Sequence, residues 1–174
     1  MLRHQARWGG IAVFALALLV RLFYLYEISD TPLFATPVVD ARTHVEDARY
    51  LADVSWTGRP IPFWQPPLYP YALGVLFAVF GDGPYLPRLL QALLGALICL
   101  FVWTLGCKIF DASIGLAAGL ATALYGPLIY FGGELLPALP ALFLNLWLLY
   151  LLTTGTDDRR SFCAGILAGL AALT

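Results

Sequence analysis

Three long apolar stretches, residues 88–106, 114–131 and 135–152, decide most of what this chain can be. A backbone in lipid finds no water to bond, so a run of roughly 20 apolar residues is stable there only as a helix that satisfies its own amides and carbonyls. Similar runs begin at residues 8 and 161. The chain therefore reads as an all-α membrane protein, a polytopic transmembrane helix bundle with spans at about 8–27, 87–106, 113–131, 135–153 and 161–174. Composition agrees, since 60% hydrophobic against 12% charged residues lies far from a soluble domain. A net charge of −1 with a single lysine gives no basic surface for nucleic acid. Cys99, Cys107 and Cys163 lack metal-ligand spacing and read as small hydrophobes.

One further apolar piece, residues 68–80, is too short to cross. Its 13 residues extend only ~20 Å at 1.5 Å per residue, against a hydrocarbon core of ~30 Å, and Pro66, Pro67 and Pro70 interrupt its start. It is expected to lie partly embedded, with residues 28–86 forming one long outer loop that carries amphipathic surface helices. The basic residues support that layout. The first helix lacks a small-x-small cleavage site and reads as an uncleaved signal anchor, held with its N-terminus in the cytoplasm by Arg3 and Arg7. Lys108 and the Arg159/Arg160 pair then fall inside as well, and Glu134 falls on the same outer face as Asp40. Gly115/Gly119 and Gly165/Gly169 have the spacing of close helix packing. The chain stops within an apolar run and is expected to be the N-terminal part of a longer protein.

The outer loop contains "VVDARTHVEDARY". At helical spacing, Arg42, Glu46, Arg49 and Asp53 form a charged ridge; Ala41, Val45, Ala48 and Ala52 form an apolar stripe; Asp40, His44 and Asp47 share a third edge. An amphipathic helix lying on the membrane surface is expected. Two readings of Asp40 compete: a helix N-cap, or a general base at the membrane boundary. His44 and Asp47 read either as a solvated face or, with Asp40, as ligands for a divalent metal. Glu134, in "YFGGELLPALPAL", reads as favourable charge at a helix N-terminus or as a functional carboxylate. Arg21, buried near the outer end of the first helix, and Arg88, which opens the second, call for an anionic partner or for snorkelling to the interface; for Arg88 that partner is an outer-loop carboxylate or a lipid phosphate.

Four blocks in order, "VVDARTHVEDARYLA", "FWQPPLYPYALGVLFAVFG", "PRLLQALLGALICLFVWTLGCKIF" and "GLAAGLATALYGPLIYFGGELL", strongly resemble the N-terminal part of bacterial polytopic C-type glycosyltransferases. The nearest in pattern are those similar to protein O-mannosyltransferases and the lipid A aminoarabinose transferase, grouped as glycosyltransferase family 39. The resemblance implies a polyprenyl-phosphate sugar as donor, a protein, lipid or glycan as acceptor, and no cofactor beyond room for a divalent metal. It implies an inverting transfer on the extracytoplasmic face of the bacterial inner membrane. It maps the catalytic acid of the first outer loop onto Asp40 and a second acidic position onto Glu134. Candidate substrate-binding residues are His44, Asp47, Tyr50, Arg59, Gln65 and Arg88. Where some relatives carry a charge just before the proline-rich helix, this chain has Gln65. The competing classes are a noncatalytic membrane fragment and a transporter or flippase-type subunit. The latter is disfavoured by acidic residues that sit in a surface loop and by the lack of internal repeats.

Overall fold

The computed structural model describes residues 2–155 and 157–174, with side chains described from residue 8 and excepting residue 154. The side chains of Arg3 and Arg7, expected to hold the N-terminus inside, thus lie outside the described residues. The described residues form helices and turns without strands, as the apolar runs require: α1 (Leu2–Ile28), α2 (Pro32–Ala35), α3 (Val39–Asp53), α4 (Leu68–Phe80), α5 (Tyr85–Ile109), α6 (Ala112–Ala123), α7 (Gly126–Gly133), α8 (Ala138–Thr154) and α9 (Asp158–Ala172).

Two helices, Trp8–Ile28 within α1 and α5, are long and apolar enough to cross a membrane alone. The expected span at 113–131 is not one straight helix. It breaks at Leu124 and Tyr125 into α6 and α7, bent by 49°, and Pro127 in the first turn of α7 explains the break because its ring cannot continue a preceding helix. Counted as one broken span, the pair makes a third crossing element. α8 starts at Ala138 rather than near 135, behind Pro137, and its 17 mostly apolar residues lie at the lower limit of about 17 for a span. α4 is 13 residues long, as its prolines and Gly81 dictate.

The bundle is held where helices come close. α1 meets α5 and α6 through Val13, Ala17, Ala96, Cys99 and Ala123, small side chains that let long helices approach and gain dispersion contacts in the absence of a hydrophobic drive. At the α5–α6 crossing a Cβ added to Gly106 would lie 2.7 Å from the Gly115 Cα. Gly119 sits against Trp103 and Val13, so the first glycine pair packs as expected. Gly165 and Gly169 do not: an added Cβ meets nothing within 4 Å at either, because α9 turns Ala164 and Leu167 inward instead. Asp111 and Asp157 cap α6 and α9, accepting backbone N–H bonds at 2.8 Å from Ser113 and Arg160 respectively.

α3 and α4 form a hairpin over the end of this bundle. The apolar stripe of α3, Ala41, Val45 and Ala48, is covered by Tyr69, Leu73 and Phe77 of α4, with Ala52 at its margin. The expected surface helix is thus amphipathic as read, but its apolar stripe faces protein. Gly74 permits the contact, its position lying 3.2 Å from the Ala48 carbonyl when a Cβ is added. α9 returns to the same end, where the Leu68 amide donates to the Leu173 carbonyl at 2.9 Å.

Candidate active site

Asp40 stands in the first turn of α3 and is exposed. It is not the N-cap: Val38 holds that position in extended conformation, with no side-chain cap bond. Between them Val39 has φ +52°, a left-handed conformation that costs a β-branched residue about 1–3 kcal/mol. Ala41 and Val45, just beyond that turn, pack on α4, and Asp40 between them and Val39 is exposed.

Along the same edge His44 is buried, at 2% exposure, with its ring edge-on to Tyr69 at 5.2 Å and its Nδ1 without a hydrogen-bond partner. Burial pushes its pKa below the usual value, opposed by the negative charges of Asp40 and Asp47. His44 is therefore part of the α3–α4 interface, not of a solvated face. No group of three His, Cys, Asp or Glu side chains among the described residues is arranged to hold a metal ion, so Asp40, His44 and Asp47 do not converge as ligands.

Asp47 accepts from Arg59 Nε at 3.1 Å, Arg59 Nη2 reaches the Glu46 carbonyl at 3.4 Å, and the guanidinium lies over the Tyr50 ring, 4.9 Å from its centroid. Beside this group a cleft of about 190 Å³ opens between Thr43 and Asp47 on one wall and Arg59, Phe63 and Trp64 on the other. Across α3, a second depression of about 460 Å³ runs past Val38, Arg42 and Arg49. Arg42 donates to Glu46 at 2.6 Å and holds that carboxyl below its ordinary range, and Arg49 pairs with Asp82 at 3.0 Å.

Glu134 closes α7 as its C-cap residue, and three residues separate it from α8, so it does not supply charge at a helix N-terminus. Its backbone is the engaged part. The Glu134 carbonyl accepts from Gln91 Nε2 at 2.7 Å and from the Leu136 amide at 2.9 Å. One residue earlier, the Gly133 carbonyl accepts from Arg88 Nε at 2.8 Å. Arg88 also donates to the Pro84 carbonyl at 3.0 Å and lies over the Phe34 ring at 4.2 Å, with 1% of its surface exposed. It binds no carboxylate directly and faces no open surface. Arg21 is likewise buried, donating to the Ala17 carbonyl at 3.0 Å and to the Ala123 carbonyl at 3.5 Å.

The structure thus brings Asp47 and Arg59 together at one cleft, with the Tyr50 ring against the Arg59 guanidinium, while His44 and Asp40 lie farther along the same helix edge. Glu134 and Arg88 share a second cluster. The two are joined by packing, because Leu135 lies in the same apolar cluster as Ala41, Val45 and Tyr69. Gln65 lines neither group; its Oε1 is buried without a partner. Tyr69 and Gln91 were missed by sequence reasoning, although an amide inside the apolar run 89–103 was a visible signal. Chemically, the arrangement offers an accessible carboxylate at the start of α3, a cation paired with Asp47 about two turns along the same helix, and a second carboxylate on a turn buttressed from behind.

A family model described as dolichyl-phosphate-mannose-protein mannosyltransferase matches residues 64–174. That range includes Gln65, Arg88 and Glu134 and begins after Asp40, His44, Asp47, Tyr50 and Arg59. No curated protein and no solved structure matches the chain.

Proposed function

Because the chain belongs to the dolichyl-phosphate-mannose-protein mannosyltransferase family, and with it to the membrane glycosyltransferases, we propose that it takes part in moving a sugar from a polyprenyl-phosphate donor to a hydroxyl or amine acceptor, with Asp40 as the general base. As the acceptor oxygen or nitrogen attacks the anomeric carbon, Asp40 takes its proton, the bond from that carbon to the phosphate oxygen breaks, and the polyprenyl phosphate leaves with its electron pair. Attack opposite the leaving group inverts the anomeric centre. A phosphate leaves readily, so one base suffices and no strong general acid is required.

The observation that carries this reading is the exposed Asp40 carboxylate on the first turn of α3, directly after Val39 at φ +52°. An accessible carboxylate that makes no cap bond, directly after a strained residue, suits pre-positioned chemistry better than capping. Arg59 is the cation best suited to a donor phosphate. It spends two N–H groups on Asp47 and Glu46 and keeps three, whereas Arg88 is buried against carbonyls. The reaction then belongs on the extracytoplasmic face, where α3, α4 and the Glu134 turn share one end of the bundle.

Asp40→Asn in the full chain in native membranes tests it, with radiolabelled polyprenyl-phosphate mannose as the donor. Transfer should fall about 10²- to 10⁴-fold while membrane insertion is unchanged. Transfer at the wild-type rate removes Asp40 from the reaction.

A further inference from the structure

Resting on that reading, we propose that Gln91 is a positioning residue that sets the Glu134 turn against the helix carrying Asp40. Gln91 is 5% exposed, and both ends of its amide are used: Tyr69 Oη donates to Oε1 at 2.7 Å, and Nε2 donates to the Glu134 carbonyl at 2.7 Å. The chemistry fixes the direction of the amide. A carbonyl can only accept, so the NH₂ must face Glu134, which leaves the oxygen for the phenol.

Gln91 and Arg88 stand one turn apart on α5 and take two consecutive carbonyls, 134 and 133, at the point where α7 ends. Carbonyls at a helix end have no partner within the helix and in an apolar bundle draw donors from elsewhere: Arg88 for Gly133, and Gln91 together with the Leu136 amide for Glu134. The Glu134 turn is therefore shaped by α5. The second end of the relay reaches α3: Tyr69 is 4% exposed, and its ring meets the edge of His44 at 5.2 Å. His44 lies one turn from Asp40 on one side and from Asp47 on the other. A single amide thus joins the turn of one candidate carboxylate to the helix of the other.

Gln91→Leu removes both bonds and keeps the volume apolar. In the full chain, reconstituted in nanodiscs, it should lower kcat by about 10- to 100-fold, the scale of a misplaced reacting group, with KM for polyprenyl-phosphate mannose within about twofold of wild type. Tyr69→Phe, which removes one of the two bonds, should lower kcat by a smaller factor, about 3- to 10-fold. Gln91→Glu supplies the discriminating signature. Its carboxylate would oppose the Glu134 carbonyl, whereas its protonated carboxyl could donate to that carbonyl and still accept from Tyr69. Its activity relative to wild type should rise as pH falls from 8 to about 5.5.

Wild-type kcat in Gln91→Leu, or a Gln91→Glu to wild-type ratio that does not change with pH, overturns the proposal. Should the leucine variant fail to fold, the pH ratio and Tyr69→Phe still decide it. Asp40→Asn measured in parallel separates the two claims. Activity retained there removes the catalytic reading, while activity lost there and kept in Gln91→Leu removes only the role of Gln91.

Discussion

Helix α3 and the Glu134 turn treat charge in opposite ways. Around α3, charge meets charge: Arg42 with Glu46, Arg49 with Asp82 and Arg59 with Asp47, each pair carrying exposed atoms that water can solvate. Within the bundle the cations meet backbone. Arg21 and Arg88 donate to carbonyls, and Gln91 joins another carbonyl to a phenol. For the Ala123, Gly133 and Glu134 carbonyls the cause is the interrupted span; the bonds of Arg21 to Ala17 and of Arg88 to Pro84 are local to their own helices. Between Ala123 and Ala138 the chain bends and unwinds, which strands carbonyls where lipid and packed side chains offer no donor. Polar side chains of α1 and α5 fill that need. Paired surface charge is replaceable, since solvent takes over when a partner is lost, whereas a donor withdrawn from a buried carbonyl leaves an unsatisfied group.

The largest contrast expected from this difference is at Arg88. Arg88→Leu leaves the Gly133 carbonyl without its donor and removes the guanidinium from the Phe34 ring. Stability measured by denaturant unfolding in detergent micelles should fall by about 1–3 kcal/mol, the cost of one unpaired buried acceptor. A loss below about 0.5 kcal/mol would mean that the turn finds another donor and that the two regions do not differ as described.

How far this division could be read in advance differs by element. The three faces of α3 follow from spacing within 15 residues, and α4's length follows from prolines and Gly81; both are local facts. What covers the stripe of α3 is not local. A surface of alanine and valine serves lipid and another helix equally well, and only the close approach at Gly74 shows that α4 takes it. The two glycine pairs make the same point. Identical spacing packs at Gly115/Gly119 and faces open space at Gly165/Gly169, because spacing names a face without naming a neighbour. In the candidate site, Asp40 was legible as a polar residue leading a helix, while its strained predecessor Val39 was not, since nothing in the residue type foretells φ +52°. Gln91 could be seen to need partners, but those partners lie 22 and 43 residues away in sequence. Arg88 was legible as a buried cation, yet the choice of carbonyls over carboxylates depends on where α7 ends.

A pH titration probes the boundary between the regions, where His44 of α3 is buried against α4. In the unfolded chain the imidazole takes a proton near its ordinary value of 6.5; in the folded chain burial lowers that value, with Asp40 and Asp47 from its own helix opposing and the Tyr69 ring facing it from α4. Below pH 6.5 the unfolded state therefore binds more protons than the folded one, and stability should decline as pH drops toward the folded value, with no contribution from this group above pH 7. His44→Phe should flatten that slope. Asp47→Asn, by removing one opposing charge, should extend it to lower pH. Equal slopes in all three proteins would assign the acid sensitivity to other groups and place His44 with the solvated surface.

The smallest effect is expected at Arg49, and its smallness is the point. The Arg49–Asp82 pair ties α3 to the connection between α4 and α5, with side chains 47% and 63% exposed. If surface charge here is replaceable, Arg49→Ala should change unfolding stability by no more than about 0.5 kcal/mol. Whatever difference exists should shrink between 0.15 M and 1 M salt, as the screening length falls from about 8 Å to about 3 Å. A loss above about 2 kcal/mol, unaffected by salt, would make this pair part of the framework that holds Asp40 in place. Helix α3 would then depend on its charges as the Glu134 turn depends on Gln91, and the same scrutiny would extend to Arg59, whose bond to Asp47 would have to be counted as structure before its free N–H groups could be offered to a phosphate.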